Sequence, residues 1–330
     1  MSAVDLVELW RGPFLESVHR GHAVICRSDG EIVESWGDPQ QLIFPRSSVK
    51  MIQALPLLES GAARGAGLGA EQLALACASH QGAAIHTDRV RRWLNVLDLD
   101  EHALRCGPQM PRDPAARDQI TCAHGHAGQM HNNCSGKHAG FLTLTRHLGA
   151  GSEYIDPAHP VQKAVRAAFE EVTGETSPGY GIDGCSAPNF ACTVAGLARA
   201  MAGFAGAQEG SARGDAQIAL RSAMMQHPEL VAGEGRACTE LMRAMGGTVA
   251  IKTGAEAVFV AILPEQKMGI ALKIEDGSTR ASECAIAAIL VRLGVLDPAH
   301  PATLRRMNVP QLNRRGMDTG ILKPTDALTA

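Results

Sequence analysis

The sequence predicts an α/β (α+β) fold: one antiparallel sheet, made from an N-terminal hairpin and a C-terminal meander and flanked by helices. A helical region is inserted between the two parts. Three observations predict it. Short alternating apolar runs flank a turn within residues 22–37, β-branched runs return at residues 247–276, and the stretch between them repeats apolar residues at helical spacing. The sheet segments are expected at about residues 20–37 and 247–276, the helical region at about 45–246, all in one domain over residues 1–330.

Each element has its own local signal. "HAVICRSDGEIVESWG" (His22 to Gly37) turns at Ser28-Asp29-Gly30, a hairpin signature. Pro45 and the serines after it mark a helix start leading into "VKMIQALPLLESG". "TDRVRRWLNVL" sets Val90, Trp93, Leu94 and Leu97 on one helix face. "PVQKAVRAAFEEVTG" does the same with Val161, Val165, Phe169 and Val172, between Pro160 and Gly174. Asn189 to Met201 and Asp215 to Gln226 are further helices, and the glycine-rich stretches 61–69 and 203–214 are expected loops. "GAARGAGLG" lacks the preceding strand and spacing of a dinucleotide fingerprint. "TVAIKTG", "EAVFVAIL" and "GIALKIE" then form the meander, and a closing helix carries Ile286, Ile289, Leu290 and Leu293.

Composition narrows the function classes. At 45% hydrophobic and 20% charged residues the chain can build a sizeable core. A formal net charge of -3 without a basic block argues against nucleic acid as a partner. No stretch approaches the roughly 18 apolar residues of a membrane span, and "MSAVDLVELWRGPF" has no signal-peptide pattern. Nine irregularly spaced cysteines suit a reducing compartment. A cytoplasmic protein with no nucleic-acid or membrane partner is expected.

Chemistry first shows in "FPRSSVKMIQ". Helix residues three apart share a face and residues two apart do not, so Ser47 can meet Lys50 and Ser48 cannot. A serine at a helix start also feels the positive end of the dipole, which favours an alkoxide. Far along the chain, Lys252-Thr253-Gly254 lies on the first meander strand, where Ala250, Lys252 and Gly254 share one face. S-x-x-K early and K-T-G on a late strand is the arrangement of the penicillin-recognising serine enzymes. Their S-D-N element is absent; the nearest substitute is "ACASHQG", with Ser79.

"FPRSSVKMIQALPLLESGAA", "LALACASHQG", "HNNCSGKHAGFL", "GIDGCSAPNFA" and "IKTGAEAVFVA" together resemble the rhizobial-type L-asparaginases, the asparaginase II family with a serine-β-lactamase-like fold. The resemblance runs from about residue 8 to residue 295. It implies hydrolysis of L-asparagine to L-aspartate and ammonia, and a homodimer. It also implies two Ser-Lys pairs, Ser47 with Lys50 and Ser79 with Lys252, and a zinc ion held by Cys134, Lys137 and Cys185.

Amide hydrolysis needs an activated nucleophile, and Ser47 is the expected one. Lys50 would take its proton, which requires a pKa several units below the reference of about 10.4; a nearby like charge such as Lys252 lowers it. Ser79 can relay a proton to the leaving amine, or alternatively bond only to backbone at a helix end. Arg46 is a candidate for the substrate carboxylate, and Asp183 for its ammonium or for orienting water; either is alternatively a solvated or structural charge. "CAHGHAGQMHNNCSGKH" matches no standard zinc-finger spacing. Without the resemblance, Cys134 and Cys185 are buried free thiols or a pair able to oxidise. His124, His126 and His131 are expected as loop or outer residues, and Cys26, Cys77, Cys106, Cys192, Cys238 and Cys284 as packing groups. Two other functions fit the same residues: a serine amidase for glutamine or a β-lactam, and a non-catalytic amino-acid binder.

Overall fold

The computed structural model describes residues 2–329. Its sheet has eight strands, all paired antiparallel. They are β1 (Val4–Arg11), β2 (Phe14–Arg27), β3 (Ile32–Trp36), β4 (Ala250–Gly254), β5 (Val258–Leu263), β6 (Met268–Ile274), β7 (Val309–Leu312) and β8 (Asp318–Pro324). Their order is β7-β8-β1-β2-β6-β5-β4, and β3 also pairs with β2. The predicted meeting of hairpin and meander is the β2–β6 ladder, with Ile25 opposite Ile270 and Ala23 opposite Leu272. These side chains are completely buried, as befits central strands.

The sheet is wider than the sequence indicates. β1, β7 and β8 were not foreseen, and the local signals of β7 and β8 are weak. Pro310 within β7 removes a ladder donor, which confines that strand to an edge, and β8 contains both Gly320 and Pro324. The helix expected from Asn189 begins instead at Val194, because Pro188–Phe190 pairs as a short strand with Tyr180–Ile182. That helix, Val194–Gly206, lies against the sheet at Gly269, where an added Cβ would stand 2.0 Å from the Ala202 nitrogen. The closing helix Thr279–Arg292 buries Ile286, Ile289 and Leu290 as expected.

The chain groups into two compact units: residues 1–48, 192–206 and 240–330, and residues 49–191 and 207–239. The first holds the eight-stranded sheet with the two helices just described. The second is mainly helical. Ala84–Val96 buries Val90, Trp93 and Leu94, and Pro160–Thr173 buries Val161, Val165 and Phe169 before stopping at left-handed Gly174. Ala212–Gln226 extends the predicted helix by one turn toward its N-cap, Ser211. The expected loops are shorter than predicted: Ala62–Gly65 is helical, and the helix before the second loop continues to Gly206.

The segment after Pro45 is also more broken than a single helix. Arg46–Val49 is a 3₁₀ turn, Lys50–Gln53 one α-turn, and Leu55–Glu59 a separate helix opened by Pro56. Ser47 therefore sits in the 3₁₀ turn and Lys50 opens the α-turn after it, rather than both lying on one continuous helix.

Candidate active site

In the first unit, Ser48 is fully buried and its Oγ donates to the Pro45 carbonyl at 2.7 Å. A hydroxyl committed in this way is a turn-stabilising group. Ser47 stays partly exposed. The strand with the K-T-G sequence lies against this turn: a Cβ at Gly254 would stand 2.6 Å from the Pro45 carbonyl and 3.2 Å from the Ser48 nitrogen. Glycine is what lets β4 approach the turn so closely. Lys252 is completely buried on that strand, opposite Val260, and donates to the Thr253 carbonyl at 2.8 Å.

In the second unit, Lys50 is almost fully buried and its Nζ donates to Ser79 Oγ at 3.0 Å. It also donates to the carbonyl oxygens of Ala78 and Asn133. Ser79 follows the helix Ala70–Ala76, and its own N–H is tied to the Val231 carbonyl at 2.8 Å. Its side chain is thus more than a helix-end hydroxyl. It is the partner of a buried lysine.

The residue after Ser79 fixes this arrangement. His80 Nδ1 accepts from the Gly82 N–H at 3.1 Å, so its proton sits on Nε2 and is donated to Ser135 Oγ at 2.9 Å. The Ser135 hydroxyl in turn donates to the Met130 carbonyl. Burial first, then His86 and Lys50, hold His80 well below the ordinary histidine range, so it is neutral. His86 stacks on it at 4.7 Å and is shifted the same way by burial.

The cysteine cluster forms at the start of the helix Ser135–His147 and in the turn after Ile182. Cys134, Asp183 and Cys185 bring their ligand atoms within 4.8 Å of one another, and both sulfurs are buried. Lys137 Nζ donates to Cys185 Sγ at 3.0 Å. A hydrogen bond from Cys134 and the Lys137 charge push Cys185 well below the thiol range against the effect of burial. The same bond and burial push Cys134 up. Cys185 is therefore the thiolate of the pair. Burial works to lower Lys137, but the two cysteines and Asp183 outweigh it and the shift is upward.

This donor set can hold a metal ion. Two sulfurs and a carboxylate suit zinc, and Lys137 joins only on losing its proton, which the thiolate and carboxylate now stabilise. Asp183 thus stands within the cysteine cluster, a placement its separate expectation did not include.

Other residues fall outside this cluster or were overlooked. Arg46 has left-handed φ 54 and lines a pocket in the first unit with His22, Glu256 and Lys273. His124 and His126 are exposed and His131 is half-buried, and none joins a ligand cluster among the described residues. Cys26, Cys77, Cys106, Cys192, Cys238 and Cys284 are buried and form no disulfide, as expected of packing groups. Tyr154 was missed, and His138, the last residue of "CAHGHAGQMHNNCSGKH", was given no role of its own. Tyr154 Oη accepts from the Arg105 N–H at 2.7 Å and donates to His138 Nδ1 at 2.9 Å, which leaves the His138 proton on Nε2, a buried atom with no hydrogen-bond partner among the described residues. The available signals were positional: His80 follows Ser79, and His138 follows Lys137.

Comparison with known proteins covers nearly the whole chain. The model of the L-asparaginase II family matches residues 7–324. No curated protein matches as a relative. Among solved structures, a β-lactamase from Mycobacterium bovis is 14% identical with a TM-score of 0.45, covering 82% of this chain and 94% of that one. An octameric penicillin-binding protein homologue from Pyrococcus abyssi is 12% identical with a TM-score of 0.39, covering 90% and 80%. At those scores the two likenesses add nothing to the fold or the site. The family match is of a different order, spanning Ser47, Ser79, the cysteine cluster and Lys252 together: the chain belongs to the L-asparaginase II family, hydrolases of linear amides whose membership implies asparagine hydrolysis.

Proposed function

We propose that the protein is an L-asparagine amidohydrolase working through a serine acyl-enzyme. The observation that carries this reading is the buried Lys50–Ser79 hydrogen bond in a chain of this family. Ser47 Oγ attacks the side-chain carboxamide carbon while Lys50 takes the hydroxyl proton. The tetrahedral intermediate collapses, the C–N bond breaks, and ammonia leaves with a proton delivered through Ser79. Water then attacks the acyl ester and releases L-aspartate, and Ser47 regains its proton.

Lys252 is assigned as the second lysine, paired with Ser79. The contact of Lys50 with Ser79 makes one continuous proton path more natural than two separate pairs. Asp183 reads the substrate ammonium or orients the water, and Arg46 is the proposed counter-charge for the α-carboxylate. Where zinc is bound, Cys134, Cys185 and Lys137 are its proposed ligands. The ion then supplies a fixed positive charge that holds the loops and positions polar groups. A cytoplasmic homodimer, with its residues forming one asparaginase domain, completes the proposal.

Ammonia release from L-asparagine, L-glutamine and a β-lactam tests the reading. Asparagine should be the best substrate, though one methylene is worth only about 1–3 kcal/mol of discrimination. Ser47→Ala should lower kcat by about four orders of magnitude or more in a folded protein. Loss of turnover in Ser48→Ala, with Ser47→Ala active, would reverse the assignment of the nucleophile. Metal analysis of protein purified without chelator should find about one zinc per chain; a value far lower, persisting after zinc is added, removes the metal from the proposal.

A further inference from the structure

The turn that carries Ser47 borders a pocket in which neither Ser47 nor Lys252 takes part. Its volume is about 480 Å³, within the range of ligand sites, and its charged walls are Arg46, Glu256, Lys273 and Glu275. His22 on β2 forms part of its floor.

His22 is the telling residue. It is 2% exposed, and its Nδ1 accepts the Asp38 N–H at 2.8 Å, which leaves the proton on Nε2. That Nε2 is buried and has no hydrogen-bond partner; the nearest carboxylate oxygen, on Glu275, is 3.6 Å away. A buried donor left in this state is destabilising, and an acceptor arriving in the pocket would recover that loss. Lys273 Nζ donates to the carbonyls of Glu256 and Ile274 at 2.6 Å each and retains a third N–H.

The charges of the walls identify the ligand class. Arg46 and Lys273 balance Glu256 and Glu275. A bare anion would meet two carboxylates, and a metal cation would meet two cationic side chains. A small molecule with both charges and no net charge meets neither objection. We propose that this pocket is a recognition site for the zwitterionic head group of a free α-amino acid. Its carboxylate sits on the His22 Nε2–H and Arg46, and its ammonium on Glu275 and Glu256. The head group belongs either to the asparagine being hydrolysed, in which case Asp183 is left to orient the water, or to a second amino-acid molecule. The first case rests on the proposed function and the second does not.

Calorimetric titration of L-asparagine into Ser47→Ala protein reads the pocket without turnover. Adding Glu275→Gln, at a side chain 56% exposed, should raise Kd by about tenfold in a protein of unchanged Tm. His22→Phe, which removes the donor, should do the same. One asparagine per chain, weakened by Glu275→Gln, assigns the pocket to the substrate's own head group. Two per chain, only one of them weakened, assigns it to a second molecule. Absent binding, or affinity indifferent to Glu275→Gln and His22→Phe, overturns the proposal. Ammonia release by the unaltered protein is measured in parallel. Turnover with an indifferent pocket leaves the reaction and removes this site, while Glu275-dependent binding in a chain releasing no ammonia does the reverse.

Discussion

Ser47 and Ser48 differ by one position and by everything that matters chemically. The Ser48 hydroxyl is buried and given to the Pro45 carbonyl, so Ser48→Ala should cost about 1 kcal/mol of stability and leave kcat close to its original value; thermal melting and ammonia release check the two halves. The helical spacing of Lys50 separated these serines without any structure. It could not reveal the Lys50–Ser79 bond, because the separation of 29 residues leaves no periodic trace. The cysteine cluster is a similar case. Lys137 was legible as a ligand only through likeness to a family, whereas its bond to the Cys185 sulfur shows it serving as counter-ion to a thiolate. Lys137→Met should therefore raise the Cys185 pKa, and the ultraviolet absorbance of thiolate at neutral pH should fall in metal-stripped protein.

Elements decide how closely those residues can be assembled. β4 reaches the 3₁₀ turn only because residue 254 has no side chain. Gly254→Ala forces the strand or the turn to move, since the new Cβ would press on the Pro45 carbonyl. Overpacking of this kind costs about 1–3 kcal/mol, and a small displacement beside a reacting group can lower kcat by about a hundredfold. Circular dichroism melts and turnover should both show the change; unaltered kcat would mean that β4 does not position the site. The meander and the β2–β3 hairpin were legible because their apolar residues alternate between good turn signals. The three unforeseen strands lie toward one edge of the sheet, and in β7 and β8 proline, glycine and exposed positions break the alternation. β1 with β2 and β7 with β8 are local hairpins, but the β1–β8 ladder joins partners more than three hundred residues apart, which no local window contains.

At the level of the whole molecule, the buried histidines set the acid limit. His80 and His86 have folded pKa values lowered by burial, so the folded protein keeps them neutral. The unfolded chain protonates them below about pH 6.5 and then binds more protons than the folded state. Stability is present above that pH and is lost as the pH falls, by up to about 1.4 kcal/mol per pH unit for each group. Tm should fall between about pH 7.5 and about pH 5.5, and His80→Gln should flatten the slope; an identical slope in the variant would remove His80 as a cause.

The pairing of β1 with β8, where Val7 stands opposite Pro324, also bears on how the chain is made. On the ribosome the first strand emerges more than three hundred residues before its neighbour exists. The intervening helical stretch can organise during synthesis, but the β1 side of the sheet cannot be completed until residues 318–324 have been made. Chains cut before residue 318 should accordingly expose the β1 edge that β8 covers, which protease protection of such truncations would read.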